Sequence, residues 1–130
     1  MAISHDVQDE VTAATIAAIE RFNVAFNQRD VPAVMAAMTD DCVFESTCPP
    51  PDGVRYVGQD AVRAVWEGLF SGSPDVTFEA EELYAVGDRC TVRWLMRYTG
   101  DDGSAQHLRG IDAFRVRDGK VSEKLAYVKG

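Results

Sequence analysis

Arg109-Gly110-Ile111-Asp112-Ala113-Phe114-Arg115-Val116-Arg117-Asp118-Gly119-Lys120-Val121 is the stretch on which the fold turns. Asp118-Gly119 sits between two strand-like runs, and both residues tolerate positive φ, so the pair is a strong hairpin signal. The run before the turn extends from Ser104 to Arg117 and the run after it from Lys120 to Val128. Side chains alternate across a strand. Leu108, Gly110, Asp112 and Phe114 therefore share one side, and His107, Arg109, Ile111 and Ala113 the other.

Working back along the chain, two more strands complete an antiparallel meander. One runs from Asp75 to Val86 and turns at Gly87-Asp88; the next runs from Arg89 to Tyr98 and turns within Gly100-Asp101-Asp102-Gly103. On the latter, Val92, Trp94 and Met96 share a side, against Arg93, Leu95 and Arg97. The N-terminal part is helical in pattern. Val7, Val11, Ala14, Ala18, Phe22, Ala25 and Phe26 recur at three- and four-residue steps, which predicts one long helix ending near Asn27-Gln28-Arg29. Ser4 or Asp6 would cap it, while Glu10, Glu20, Arg21 and Asn23 fall largely off the stripe.

A second helix is predicted from Asp30-Val31-Pro32, with Val34, Met35 and Met38 buried and Thr39-Asp40-Asp41 closing it. Cys42–Thr47 reads as a short strand. Cys48-Pro49-Pro50-Pro51-Asp52-Gly53 cannot continue a central strand, because three prolines remove three N–H donors. Gly58-Gln59-Asp60 leads into a third helix carrying Val62, Val65, Trp66, Leu69 and Phe70, ended by Ser71-Gly72-Ser73-Pro74. Helices first and a curled sheet afterwards make an α+β domain, read as one unit over residues 1–130.

Composition narrows the function classes. The chain has 130 residues, with 46% apolar and 26% charged, which supports a packed core rather than disorder. Its net charge of −8 repels phosphate backbones, so no nucleic-acid partner is expected. No apolar run approaches the roughly 20 residues that span a bilayer, so no membrane partner is expected either. Met1–Asp6 lacks a basic region followed by an apolar stretch, and the expected location is cytoplasmic. Three cysteines, Cys42, Cys48 and Cys90, do not suit a disulfide framework. No CxxC pair occurs and His5 and His107 are far apart, so no metal is expected.

The order helix, helix, strand, Pro/Gly loop, helix, four strands resembles the nuclear-transport-factor-2-like (NTF2-like) superfamily. It is most similar to the SnoaL-like and ketosteroid-isomerase-like branch. The strings that carry the resemblance are Phe26-Asn27-Gln28-Arg29-Asp30, Thr39-Asp40-Asp41-Cys42-Val43-Phe44, Gly58-Gln59-Asp60-Ala61-Val62, and the quoted hairpin. The resemblance implies a cone. Three N-terminal helices pack in a strongly curved, mainly antiparallel sheet, with an apolar pocket at the open end and a homodimer formed through the sheet. It says less about activity, because this fold hosts isomerases, cyclases, epoxide hydrolases, dehydratases and non-catalytic modules.

By that resemblance the sides bearing Trp94 and Asp112 face the pocket. On the last strand the inward set would be Lys124, Ala126 and Val128, unless a bulge exchanges it with Glu123, Leu125 and Tyr127. The ligand-binding wall would comprise Phe22, Phe26, Met38, Phe44, Trp66, Phe70, Val92, Trp94, Met96 and Phe114, joined by Met35, though any one of these fits a core role as well.

Asp112 is the leading catalytic candidate, since a buried carboxylate must pair or become protonated. In ketosteroid isomerases the aspartate at the matching Ile-Asp-x-Phe position is a protonated oxyanion-hole donor, a standard example of pKa tuning. Asp112 could equally be a structural partner of Lys124. A desolvated amine gives up its proton more easily, which would equip Lys124 as a base or Schiff-base nucleophile; a carboxylate beside it opposes this and makes a buried ion pair the alternative. Glu45 and Ser46 complete the catalytic candidates.

The known catalytic sets of the family are incomplete. Phe22 stands where the isomerase tyrosine would be, Ser46 near its general-base aspartate, and Lys129 where SnoaL-type cyclases carry an aspartate. Arg109 and Asp112 face opposite ways, so they do not form the relay of the epoxide hydrolases. Arg93, Arg97, His107, Arg109 and Glu45 are expected in a polar network on the outer face or across the dimer. Cys48 lacks a base partner. The expected function is the binding of a small, largely apolar organic molecule. Cofactor-independent isomerase, cyclase or dehydratase chemistry would be added if the pocket is catalytic; the alternative is a non-catalytic binding or interaction module.

Overall fold

The computed structural model describes residues 5–130, with side chains from residue 9 onward. Ser4, and the side chains of Asp6 and Val7, which the sequence offered as caps and as the first residue of the stripe, lie outside the described residues. The helices are α1 (His5–Asn27), α2 (Val31–Ala36) and α3 (Gln59–Gly72). The strands are β1 (Met38–Glu45), β2 (Arg55–Val57), β3 (Thr77–Val86), β4 (Arg89–Thr99), β5 (Ala105–Arg117) and β6 (Lys120–Val128). They form one six-stranded curled sheet in the order β2-β1-β6-β5-β4-β3. Among the described residues only the β1–β6 pairing is parallel.

Helix α1 lies along the inner face of this sheet and packs on β3, β4, β5 and β6. Its buried stripe is Thr15, Ala18, Ile19, Phe22, Ala25 and Phe26. The expected stripe is corrected at its N-terminal end: Val11 is 39% exposed and Ala14 is exposed too. There the helix meets the β3–β4 turn through polar groups. Thr15 Oγ1 donates to the Gly87 carbonyl at 2.7 Å and Thr12 Oγ1 accepts from Gly87 N–H at 2.9 Å.

Helix α2 is shorter than its sequence pattern. Asp30 caps it, accepting from Ala33 N–H at 3.1 Å. Met38, expected on the helix, opens β1 instead, and Thr39-Asp40-Asp41 continue it. The reason is long-range pairing: Met38 lines up with Val121 of β6, and Val121 N–H donates to the Ala37 carbonyl at 2.8 Å. Strand β2 has no counterpart in the sequence reading. It is three residues long and is held by pairing with Val43, Phe44 and Glu45. Gln59 fixes the start of α3, its Nε2 donating to the carbonyls of Met35, Met38 and Thr39 at 2.9–3.2 Å.

The β5–β6 hairpin contains the feature that matters most for the site. Asp118 (φ 54) and Gly119 (φ 73) make the turn, as their tolerance of positive φ predicts. The turn pairs Arg117 with Lys120 and Val116 with Val121. A bulge then intervenes at Ser122, after which Arg115 pairs with Glu123 and Phe114 with Lys124. Ser122 Oγ donates to the Arg115 carbonyl at 3.1 Å across the bulge. The interior is dominated by aromatic rings centred on Phe26, which lies 5.0–5.7 Å from Phe22, Trp66, Phe70 and Phe78.

Candidate functional site

Three strands deliver the polar groups of the interior. Asp112 on β5 stands opposite Val92 of β4 and Ala126 of β6, so neither direct neighbour can hydrogen-bond it. Lys124 reaches it diagonally from its place opposite Phe114. Lys124 Nζ lies 3.1 Å from Asp112 Oδ1, and both residues are more than nine-tenths buried. The contact is an ion pair without hydrogen-bond alignment, since Asp112 Oδ1 has no hydrogen-bond partner among the described residues.

The ammonium is also surrounded by π faces. Its nitrogen is 5.0 Å from the Phe44 ring centre, and 5.6–5.9 Å from Trp66, Phe26 and Phe114. Ring quadrupoles attract a cation and so act with the carboxylate to offset the desolvation of the ammonium.

A small cavity of about 80 Å³ opens beside the pair. Helix α1 contributes Phe22, Asn23, Phe26 and Asn27; β3 and β4 contribute Phe78, Ala80, Val92 and Trp94; Asp112 and Lys124 form its charged end. Its lip is fastened by Asn27, whose side chain donates to the Phe78 carbonyl at 2.8 Å and accepts from Phe78 N–H at 2.9 Å. Trp94 lies over Gly110 of the neighbouring strand, where any Cβ would overlap the indole and the Tyr127 carbonyl oxygen. Glycine is required there by close approach.

Of the residues the sequence offered as a ligand wall, Phe22, Phe26, Val92 and Trp94 line this cavity. Met35, Met38, Phe44, Trp66 and Phe114 are buried in the core cluster, and Phe70 packs against it. Met96 is half-buried between Phe78 and Leu108. Phe44 and Trp66 act on the site only through their π contact with Lys124.

The other two catalytic candidates are not brought to Asp112. Glu45 pairs with Arg55 at 2.8 Å, and Ser46 Oγ accepts from Val54 N–H at 3.0 Å and donates to the Cys48 carbonyl at 2.9 Å. Both residues line a separate depression with Pro51, Ala126 and Tyr127.

Asn23 and Asn27 are site residues that the sequence reading left out. They are spaced i, i+4 on the ridge beside Phe22 and Phe26, and that adjacency was the available signal. Phe78 and Ala80 were also missed, because the face of β3 depends on a bulge at Glu81 between the Ala80–Trp94 and Glu82–Arg93 pairs.

On the outer face Arg109 pairs with Glu81 at 3.0 Å and Arg97 with Glu79 at 3.1 Å. Arg109 holds the Glu81 carboxyl below its ordinary range. An open depression of about 580 Å³ lies beside the Arg109–Glu81 pair, lined by Arg93, Arg109, Ile111, Tyr127, Val128 and Lys129 among others. It is larger than the inner cavity but solvent-facing, with its charges already paired or exposed, so the buried pair remains the candidate for chemistry. Among the described residues no three His, Cys, Asp or Glu side chains converge as metal ligands, and no helix is long and apolar enough to cross a membrane.

The sequence matches the SnoaL-like domain over residues 19–124. A solved NTF2-like protein of unknown function from Mesorhizobium loti is 37% identical and superposes with a TM-score of 0.76, over 92% of this chain and 93% of its own. A Mycobacterium tuberculosis protein solved in complex with estradiol-17β-hemisuccinate is 21% identical, with a TM-score of 0.75 over 88% of this chain and 92% of its own. A candidate polyketide cyclase from Xanthomonas campestris pv. campestris is 19% identical, with a TM-score of 0.74 over 92% and 93%. No curated protein matches the chain.

Proposed function

The chain belongs to the SnoaL-like domain family, and from that premise we propose that it binds a small, largely apolar organic molecule between α1 and the sheet and moves a proton on it at Asp112. The observation that carries this reading is the Asp112–Lys124 pair: two buried ionisable groups 3.1 Å apart at the end of an aromatic-walled cavity. Asp112 would take or return the proton. The ammonium of Lys124 would balance the negative charge that develops on the ligand. Trp94 and Phe22 would hold its apolar body. The chemistry would need no cofactor and would be of the isomerase, cyclase or dehydratase type.

A second reading, a non-catalytic binding module, is favoured by the small size of the cavity and by the ion pair that already neutralises Asp112. Proton NMR in D2O separates the two. Small carbonyl and hydroxyl compounds that shift the resonances of Trp94 would be followed for exchange of their C–H protons. Exchange that Asp112→Asn abolishes supports the catalytic reading. Binding without exchange leaves the binding module, and no binding overturns both.

The partner expected through the sheet is a second copy of this chain. Ile111, Tyr127 and Tyr84 are exposed on the outer face beside the acidic Glu79, Glu81 and Glu82 and the basic Arg93, Arg97 and Arg109, a mixture that a twofold axis can make self-complementary. A mass of one chain, 14.3 kDa, at high micromolar concentration would count against it.

A further inference from the structure

The inner cavity has one aromatic wall that meets solvent. Among the described residues, Phe22, Phe26 and Trp94 line it and are at most 7% exposed, whereas Phe78 is only half-buried. Ala80, two residues further along the same face of β3, also lines it and is exposed. The mouth therefore lies between Phe78 and Ala80 of β3 and the Asn23–Asn27 edge of α1. The Phe78 ring spans this gap, set edge to face with Phe26 of α1 at 5.2 Å and with Trp94 of β4 at 5.9 Å.

The ring is held by local contacts. Strand β3 is the edge of the sheet, so one side of its backbone has no strand to pair with. At Phe78 the side chain of Asn27 takes that strand's place. Its amide donates to the Phe78 carbonyl and accepts from the Phe78 N–H, as a neighbouring backbone does. Arg29 adds a second tie from the end of α1, donating to the Val76 carbonyl. Beyond Ala80 the bulge at Glu81 breaks the ladder. Residues Thr77 to Ala80 are thus a short strand end, fixed to β4 on one side and to the end of α1 on the other.

A cavity of about 80 Å³ is small beside ordinary ligand pockets of roughly 300–1,000 Å³, so room for a ligand has to come from a wall. Phe22 and Phe26 belong to the packed core and Trp94 backs onto Gly110, so none of them yields without displacing its neighbours. Phe78 needs only to turn outward into water, giving up its two ring contacts. We propose that Phe78 sets the size of the molecule that the cavity admits, and that Asn27 is the positioning residue that holds it across the mouth. With the ring inward, the cavity takes a single small ring or a chain end. With the ring outward, the cavity joins the solvent between α1 and β3. By pinning the Phe78 backbone, Asn27 governs how often the mouth opens.

This inference rests on the apolar-ligand reading above, and its test separates the two. Toluene and naphthalene are titrated into the native chain and its variants, each verified as folded by its thermal melt. The amide resonances of Ala80 and Val92, which line the cavity, report binding. The native chain should bind toluene and hold naphthalene about tenfold more weakly. Phe78→Ala should abolish that difference, and Phe78→Leu, the milder change if alanine unfolds the chain, should narrow it. Phe70→Ala removes a ring that packs on Phe26 but lies outside the cavity lining, and should leave the difference intact. Asn27→Ala should speed toluene association and dissociation alike, by about fivefold in exchange line shapes, with Kd unchanged and faster hydrogen exchange at Phe78 N–H. A merely structural loss would raise dissociation alone.

Naphthalene still excluded by both Phe78 variants, or admitted equally by Phe70→Ala, would overturn the size role while leaving the apolar pocket standing. Unchanged exchange rates in Asn27→Ala would overturn its positioning role. Binding of neither probe by any chain would overturn both readings. Binding by Phe78→Ala alone would keep Phe78 as the barrier and overturn the reading that the native cavity takes such a guest.

Discussion

Lys124 stands opposite Phe114 in the β5–β6 ladder, one residue out of step with the register that begins at the Arg117–Lys120 pair. Carried forward without interruption, that register would set Lys124 against Ala113, on the outer face. The bulge at Ser122 absorbs one residue and turns Lys124 inward, to within 3.1 Å of Asp112. One extra residue in a strand thus decides whether a lysine is a solvated surface charge or half of a buried ion pair.

An alanine inserted between Glu123 and Lys124 should return the lysine to the outer face and leave Asp112 unpaired. A lowered melting temperature is the expected outcome. Ser122→Ala, which removes only the bond to the Arg115 carbonyl, should cost about 1 kcal/mol in urea unfolding and keep the pair intact.

Removing one member of the pair should be worse than removing both. Lys124→Met leaves a carboxylate buried without its cation, and a loss of about 3–5 kcal/mol is expected. The double variant Asp112→Leu/Lys124→Met presents only apolar surface to the aromatic box and should recover most of that loss. Urea denaturation of the two single variants and the double variant measures the coupling directly; additive losses would show that the ions do not interact.

Gly110→Ala should destabilise the chain by about 1–3 kcal/mol, because the added methyl meets both the Trp94 indole and the Tyr127 backbone carbonyl. The ring can move, but the carbonyl belongs to the paired β6 strand. Gly110→Ala combined with Trp94→Phe should therefore remain less stable than Trp94→Phe alone.

The three thiols should divide into one reactive and two silent. Cys48 is exposed, whereas Cys42 and Cys90 are buried. Burial pushes Cys42 up and Cys90 up to about 11, so neither supplies thiolate near neutrality. A thiol-exchange reagent at about pH 8 should modify one cysteine in the native protein and all three after denaturation.

Acid should weaken the fold through surface carboxylates. Arg117 lowers Asp41, Thr99 lowers Asp75 and Arg109 lowers Glu81, from ordinary values of 3.8, 3.8 and 4.5. A carboxyl depressed in the folded state stabilises it above the unfolded pKa, and that contribution disappears as pH falls through the lower folded value. Urea midpoints should therefore decline below about pH 4. Arg109→Met should make that decline shallower, and each contribution should be modest because the groups are exposed.

Much of the fold could be read locally. The Asp118-Gly119 turn, the β3 to β6 meander, the α3 boundary and the Phe22–Phe26 ridge follow from turn chemistry and periodicity, which act over a few residues. What escaped was set at a distance. The early start of β1 depends on β6, β2 exists only as a partner of β1, and Thr15 replaces an apolar contact because the Gly87 turn lies beside it.

Taken by itself, the sequence determined the layering of helices on a curled sheet and the alternation that gives Asp112 and Trp94 a common face. Backbone periodicity enforces both, whatever lies across the sheet. Tertiary structure decided how the site's candidate residues meet. The Ser122 bulge brought Lys124 to Asp112, and Gly110 admitted the Trp94 ring. Aromatic packing around Phe26 closed the interior down to a cavity of about 80 Å³. Register and the volume left between rings are properties of several elements meeting, and no single stretch of chain encodes them.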